Sequence, residues 1–499
     1  MLQIITNFSA KIRLVFLYVQ FENTARAMGL CSGNYGVKKF VKTTFPDALR
    51  EFPNIESAVK STGHTQSQTA VLLDGNVLVM QIPVAVFDFD GYVKIFGGFI
   101  KAALDAADTV FVVFDEPSIV SRAKLDEQRR RDLSRAKTKI VMSDDLEKQF
   151  APTDDNYTLE VIKQCNPHDL MSNRKARSRF YDALCKRTMT ELMNRREYEN
   201  KTLTFDGIDA RGASRGFDEE REPGMFSNCD KIETLMVRGD GDARIGEGDL
   251  KLTDIESEIQ FLRNEGKLFH SVEIIFVCTI DTDSIAIELM HQSAKNEARA
   301  SKDEGCETGR QIKSVLCFRE ITGKRNDPEN PQIKMFSCLD MEILHKHIME
   351  RLFGKLRTDL QSHLHRAAMA LLSAGWCLCG CDFCELKGMR SDIIWQSVVQ
   401  IARNEPSLLK KMSAVWELTR TSTAAEIAEG RDEMAEAIER MVNLSTSKLE
   451  ELPRMSRALA SAKLANKSDF LKPAWVVLYW AGLEFKSLNE WGFSVSSTT

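Results

Sequence analysis

The sequence of 499 residues lacks the features that would assign it to a specialised class of protein. It has no apolar run near the roughly 20 residues that a membrane-spanning helix needs. Its formal net charge is only −5, so no excess of one sign indicates a nucleic-acid-binding surface, although an average can hide local basic patches. The hydrophobic content of 43% is ordinary. Composition therefore indicates a soluble globular protein with no membrane partner, and it leaves an enzymatic function open.

Regular cysteine spacing is absent as well. The twelve cysteines are scattered without the pattern of a small disulfide scaffold, which favours a reducing, intracellular compartment over secretion. One cluster, CLCGCDFC at 377–384, has histidines upstream and could form a zinc knuckle. Cysteines spaced two apart, however, make poor tetrahedral geometry from a single loop. We therefore interpret most of the thiols as small buried residues.

Apolar, strand-like runs end in acidic residues at three places. The runs are VLLD at 71–74, VFVVFD at 110–115 and EIIFVCTI at 273–280. The first ends on Asp74, the second ends on Asp115, and the third is followed by Asp281 and Asp283. The last two acids are two residues apart and would share a face of a continuing strand. The alternative for this pair is a strand end followed by a helix that Asp283 or Ser284 caps.

Helical patterns lie between these runs. Residues 84–106 separate the first two strands, and residues 249–264 precede the third. Strands that alternate with helices predict an α/β fold with a twisted, mostly parallel central sheet flanked by helices. In such a sheet the carboxyl ends of the strands meet at one edge, where active sites lie.

Further acids fall at element ends. The segment GEGD at 246–249 precedes an amphipathic helix, where acids also favour the helix dipole, and Asp382 follows an apolar helix. The complete set is Asp74, Asp115, Glu247, Asp249, Asp281, Asp283 and Asp382. Like charges at one edge repel unless cations neutralise them. Hard oxygen ligands in this number suit two Mg²⁺ ions about 4 Å apart, for which Mn²⁺ can substitute, and such a pair hydrolyses phosphodiesters.

A basic segment follows Asp115. Arg122 and Arg129 are seven residues apart, which is two helical turns, so they share one face of a helix. Lys124, Arg130 and Arg131 surround them. Guanidinium groups bind phosphate by charge and by bidentate hydrogen bonding. A solvated charged helix is the alternative, and the position after an acidic strand end favours phosphate binding.

In this order the segments resemble the flap endonuclease and xeroderma-pigmentosum-G superfamily of 5′ nucleases, which has a PIN-like fold. The resemblance begins at GNYGVKKFVKTTFP, residues 33–46, and covers roughly residues 33 to 135 and 240 to 395. It implies nucleic-acid contacts at Gly33, Gly36 and Lys38. Because the family normally begins with this segment, we expect Met28 to be the native start and residues 1–27 to be an extension.

The resemblance also implies roles for the other residues. The seven acids match the family's metal ligands, and Arg122 and Arg129 match the basic pair that contacts the scissile phosphate. Lys124, Arg130 and Arg131 would add backbone contacts. A helix-two-turn-helix motif that binds duplex nucleic acid should follow Asp382, and its Gly388 and Arg390 would contact a backbone phosphate. The implied protein is a nuclear or otherwise intracellular, Mg²⁺-dependent nuclease that binds nucleic acid with a 5′ end or flap, DNA before RNA.

Two departures keep other functions open. The segment at 385–392 has one glycine where the family has Gly-x-Gly, which puts the binding of duplex nucleic acid by this motif in doubt. The gap from Asp249 to Asp281 is longer than in flap endonucleases, and the GEG at 246–248 resembles the Gly-Glu-Gly motif of 5′-to-3′ exoribonucleases, which makes RNA a second candidate substrate. A non-catalytic nucleic-acid-binding scaffold is the third interpretation.

The domain organisation follows from the same segments. We expect an extension at 1–27, an N-terminal nuclease region at 28–135, an arch insertion at 136–239, an internal nuclease region at 240–395 and a helical C-terminal region at 396–499. Within the arch, the basic and aromatic stretch at 173–181 could bind single strands or be plain helical surface. Residues 202–223 are expected to form a long loop. Helices are expected at 393–402, 424–442 and 448–465, and residues 474–480 are expected to be core.

Overall fold

The structure is a computed structural model of the whole chain, and it describes only part of it. The described residues are 46–83, 86, 88–114, 174–209, 224–228, 272–279, 283–300, 313–322, 333–354, 362–380, 391–414, 423–450, 473–474 and 476–477. The chain divides into two compact units. We call residues 51–280 with 307–338 the sheet unit, and residues 1–50, 281–306 and 339–499 the helical unit.

An eight-stranded sheet organises the sheet unit. Its strands are β1 (Leu49–Phe52), β2 (Thr69–Asp74), β3 (Thr109–Val113), β4 (Thr202–Ile208), β5 (Gly224–Ser227), β6 (Ile274–Thr279), β7 (Lys313–Thr322) and β8 (Ile333–Asp340). Their order across the sheet is β1-β8-β7-β6-β2-β3-β4-β5. The neighbours from β7 through β6, β2 and β3 to β4 pair in parallel, whereas β4 and β5 are antiparallel. The predicted α/β class with a mostly parallel sheet is therefore confirmed.

The described part of this unit contains four α-helices: α1 (Ile55–Ser61), α2 (Gly75–Met80), α3 (Phe89–Ala106) and α4 (Arg174–Met193). The helix expected at 84–106 begins later, at Phe89, because Asp88 is its N-cap and accepts a hydrogen bond from the N–H of Gly91 at 2.6 Å. The short helix α2 follows β2 directly, with Asp74 as its N-cap.

The core of the sheet unit lies between one face of the sheet and the helices α1, α3 and α4. Phe96 of α3 is fully buried and stacks on Phe205 of β4 with ring centroids 6.3 Å apart. Phe180 of α4 packs edge-on against Tyr92 at 5.4 Å. Burying one such ring stabilises the fold by about 1.5–3 kcal/mol, so aromatic residues from distant segments hold this core together.

The aromatic residues at 173–181 are therefore core residues. Phe180 has no exposed surface, and Tyr181 and Arg179 are also buried. A ring that packs inside the protein offers no face on which a nucleotide base can stack. The interpretation of this stretch as a stacking surface for single strands was wrong for its two aromatic residues.

The expectation of a long loop at 202–223 was wrong for residues 202–208. Residues 202–208 form β4, every residue of which is buried, in parallel register with β3. The Asp206-Gly207 pair resembles a turn in sequence, but Gly207 takes a positive φ of 81° within the strand, where β4 shifts register against β5. Residues 210–223 lie outside the described part of the chain.

The helical unit contains the expected C-terminal helices. Its helices are α5 (Asp283–Ala300), α6 (Met341–Phe353), α7 (Ser362–Gly380), α8 (Ser391–Asn404), α9 (Pro406–Ala414) and α10 (Ala424–Glu450). Helix α7 passes close to α8 at Gly375, where an added Cβ would overlap the side chain of Ile394. The helix expected to start at Lys448 does not start there, because α10 continues through that residue.

Two smaller expectations concern apolar segments. Ala474, Val476 and Val477 are buried, which confirms the core assignment for the described part of 474–480. Over the described ranges, the helices are all too short or too polar to cross a membrane.

Candidate functional site

The acidic strand ends belong to neighbouring parallel strands. Asp74, the last residue of β2, is in register with Val113 of β3, and Val113 is in register with Asp206 of β4. On its other side β2 pairs with β6, which ends at Thr279. Register partners in parallel strands point to the same face of the sheet, so the side chains of Asp74 and Asp206 share a face at this edge.

Asp74 is a buried carboxylate held by two neutral donors. Its side chain is 8% exposed. Oδ1 accepts a hydrogen bond from the N–H of Val77 at 3.0 Å, and Oδ2 accepts one from the hydroxyl of Thr279 at 3.4 Å. The first bond caps helix α2, which is the ordinary structural role of an Asp at this position. A carboxylate has about four acceptor positions, so capping is compatible with binding a cation.

Asp283 is the first residue of helix α5 and is also buried, with 5% exposure. Its Oδ1 accepts a hydrogen bond from the indole N–H of Trp376 on α7 at 2.7 Å. The positive end of the α5 dipole favours the charged form of this carboxylate. The strand before it ends at Thr279 and a helix begins at Asp283, which confirms a strand end followed by a helix, but Asp283 and Ser284 lie inside this helix and not at the expected cap position before it.

Asp74 and Asp283, the two predicted ligands that the structure describes, are oxygen donors of the type that Mg²⁺ prefers. The residue types therefore fit a hard divalent cation. Among the residues that the structure describes, no three His, Cys, Asp or Glu side chains are grouped so as to hold a metal ion. Five of the seven predicted ligands lie outside those residues, namely Asp115, Glu247, Asp249, Asp281 and Asp382.

The predicted nucleic-acid contacts also lie outside the described residues. They are Gly33, Gly36, Lys38, Arg122, Lys124, Arg129, Arg130, Arg131, Gly388 and Arg390. Their roles stay predictions.

Sequence reasoning missed a second group of buried acids, around the end of β4. Asp182 of α4 accepts a hydrogen bond from the N–H of Asp209 at 2.9 Å, which attaches the end of β4 to this helix. The carbonyl of Asp206 accepts from the N–H of Phe114, just after β3. All three aspartates are buried. The available signal was the strand pattern TLTFDGI at 202–208, which was interpreted as the start of a long Gly- and Arg-containing loop.

The segment considered for zinc is partly described. Cys377 and Cys379 are buried within α7, which confirms their interpretation as small buried residues. His345 is enclosed as well, with Nε2 at 2.6 Å from the hydroxyl of Ser293 and Nδ1 at 3.2 Å from the amide nitrogen of Asn296. Burial lowers the pKa of His345 to about 3, so this imidazole is neutral at pH 7.

Comparison of the chain with models of protein families found no match, and a search of curated proteins found no similar sequence.

Proposed function

We propose that the protein is a divalent-metal-dependent 5′ nuclease that hydrolyses phosphodiester bonds in nucleic acid with a free or flapped 5′ end, with DNA as the first substrate. The observation that carries the proposal is the strand order β6-β2-β3, in which three parallel neighbours each have an acid at or just after the carboxyl end.

The positions of the acids relative to these strands support the proposal. Asp74 is the last residue of β2. In the sequence, Asp115 follows the last residue of β3 by two positions, and Asp281 follows the last residue of β6 by two positions. Ligands bind outside the carboxyl ends of strands in open α/β sheets. A sheet needs no acid at three adjacent strand ends for its stability, whereas a metal-binding site does.

The chain's own residues would have three tasks. Asp74, with Asp115, Glu247 and Asp249, would hold one Mg²⁺ or Mn²⁺ ion, and Asp281, Asp283 and Asp382 would hold another. When bound, such ions activate water and stabilise the leaving oxygen. Arg122 and Arg129 would bind the scissile phosphate by charge and bidentate hydrogen bonding.

Three described donors would orient the described ligands. The N–H of Val77 and the hydroxyl of Thr279 hold the two oxygens of Asp74, and the indole of Trp376 holds Oδ1 of Asp283. Groups that hold metal ligands in this way fix their direction and raise metal affinity. None of these three donors was given a role from the sequence.

A 5′-to-3′ exoribonuclease is the second candidate function. The segment GEGD at 246–249 favours it, because the same Gly-Glu-Gly pattern marks the exoribonucleases that this chain resembles. Both candidates would use the same acids and the same ions, and they differ in substrate.

Cleavage of labelled substrates tests both candidates. The panel consists of 5′-labelled flap DNA, blunt duplex DNA and single-stranded RNA, each with Mg²⁺ and with EDTA, for the wild type and for Asp281→Ala. We expect Mg²⁺-dependent product near the flap junction that the variant does not form, while the variant keeps its binding of flap DNA. Processive loss of RNA in place of flap cleavage would favour the exoribonuclease. Absence of product from every substrate would contradict both and favour a binding scaffold.

A further inference from the structure

Three cysteines lie side by side on neighbouring strands of the sheet unit. They are Cys278 of β6, Cys317 of β7 and Cys338 of β8. Cys278 and Cys317 are register partners, and Sγ of Cys317 is 3.0 Å from Sγ of Cys338. All three are free thiols, and they lie in or against the hydrophobic core under α1 and α3. This row of thiols has no part in the proposed nuclease chemistry.

A cavity of about 140 Å³ adjoins the row. Cys278 and Cys317 line it, together with apolar side chains that include Leu73 and Phe99. Cys338 is not part of the lining, and its Sγ lies next to that of Cys317. A water molecule needs roughly 10–15 Å³ of such space, so a molecule of similar size has ample room beside the Cys317 sulfur.

We propose that Cys317 and Cys338 are a site of reversible oxidation, at which hydrogen peroxide that enters the cavity converts the two thiols into a disulfide. In the first step the Cys317 sulfur attacks one peroxide oxygen, the O–O bond breaks, and Cys317 sulfenic acid and water form. In the second step the Cys338 sulfur attacks the Cys317 sulfur, the S–O bond breaks, and the disulfide and a second water form. Two thiols lose two electrons and two protons, and one peroxide becomes two waters.

The strand arrangement is compatible with this bond. Neighbouring strands lie about 4.8 Å apart, and disulfides join Cα atoms that are roughly 4.4–6.8 Å apart. The two sulfur atoms already touch, so the bond requires a further approach of about 1 Å, to the roughly 2.05 Å of a disulfide. Cys278 is positioned differently, since it is the partly exposed member of the row.

The surroundings make the reaction slow and selective for small oxidants. Burial, together with hydrogen bonds to Cys278 and Cys338, raises the pKa of the Cys317 thiol well above its usual range. The thiolate is therefore scarce, and the reaction needs sustained exposure to peroxide. Glutathione disulfide is far too large for the cavity, so the thiols persist in an ordinary thiol–disulfide buffer.

Peptide mass spectrometry of the full-length protein tests the proposal. Trypsin separates the three cysteines into peptides 268–295, 314–319 and 335–346, and it places the buried Cys185 in peptide 180–186 as an internal control. After incubation with millimolar peroxide and alkylation of the remaining thiols, we expect peptide 314–319 joined to peptide 335–346. Dithiothreitol should separate the two peptides. Cys185 should still be a thiol after the peroxide treatment and should therefore be alkylated once the protein is unfolded.

Variants and a second oxidant make the test specific. Cys278→Ser should keep the cross-link, Cys338→Ser should abolish it, and the cross-linked wild type should show a Tm about 5 °C higher than the reduced protein. Peroxide that leaves both peptides unlinked in the folded protein would overturn the proposal. Equal oxidation of Cys185, or an equally fast cross-link with glutathione disulfide, would overturn the route through the cavity.

Discussion

The charge of Asp74 can be separated from its capping role, because Asn and Asp are equally good N-caps. In Asp74→Asn the amide oxygen can still accept from the N–H of Val77, and the amide NH2 group that replaces Oδ2 can donate to the hydroxyl oxygen of Thr279, while the negative charge is lost. We expect the free energy of unfolding to change by less than about 1 kcal/mol, the size of one hydrogen bond. If Asp74 binds a cation, cleavage should fall at least about 100-fold, since removing a group that merely supports a ligand already costs about 10–100-fold.

Asp74→Ala gives the contrasting case. It removes the cap of α2, which takes the acceptor from the N–H of Val77 and costs about 1 kcal/mol, and it removes one acceptor of the buried Thr279 hydroxyl, which costs about 1–3 kcal/mol. The expected loss of unfolding free energy is about 2–4 kcal/mol. Urea denaturation measures this loss, and flap cleavage at saturating Mg²⁺ measures the activity of both variants.

Asp340 supplies the matched control. Like Asp74, it ends a strand and caps the helix that follows, with Oδ1 at 3.0 Å from the N–H of Ile343. Asp340→Asn should therefore leave both stability and cleavage near the wild-type values. If Asp74→Asn cleaves flap DNA as fast as the Asp340→Asn control, Asp74 is only a cap and the proposed ion-binding role is refuted.

Two further predictions concern buried side chains of the helical unit. Trp376→Phe removes the donor to Asp283, so the Mg²⁺ concentration for half-maximal cleavage should rise about 10-fold, whereas the control Trp395→Phe should leave it unchanged. Tryptophan fluorescence follows the Mg²⁺ titration as a second measurement. A titration of Trp376→Phe that is identical to that of the wild type would refute the positioning role. The pKa of His345 is lowered to about 3 in the folded protein, whereas the unfolded side chain binds a proton below about pH 6.5. The stability from His345 is therefore present above pH 6.5 and falls by up to about 1.4 kcal/mol per pH unit as the pH decreases towards 3. His345→Gln should flatten this acid dependence in urea denaturation, and an unchanged slope would contradict it.

Local patterns were sufficient for several elements. The apolar runs at 71–74 and 273–280 each predicted a strand, and β2 and β6 occupy them within two residues of the expected ends. The helices expected at 393–402 and 424–442 correspond to α8 (Ser391–Asn404) and α10 (Ala424–Glu450). These elements were predictable because propensity and hydrophobic period depend on neighbours in the sequence.

Other elements depended on contacts that no local pattern reports. The Asp206-Gly207 pair is typical of a turn, yet β4 is buried because β3 on one side and β5 on the other satisfy its backbone hydrogen bonds. The basic flanks of Phe180 indicated a surface, yet its ring packs against Phe89 and Tyr92, about 90 residues away in the sequence.

The sequence by itself determined the fold class, the strands that carry acids, and the chemical types available for a metal site. The tertiary structure decided which of these groups meet. The strand order made Thr279 a donor to Asp74, helix packing made Trp376 a donor to Asp283, and the sheet brought Cys317 against Cys338. Each of these contacts joins residues that are between 21 and 205 positions apart, and chain closure over such distances is driven by burial of the whole core.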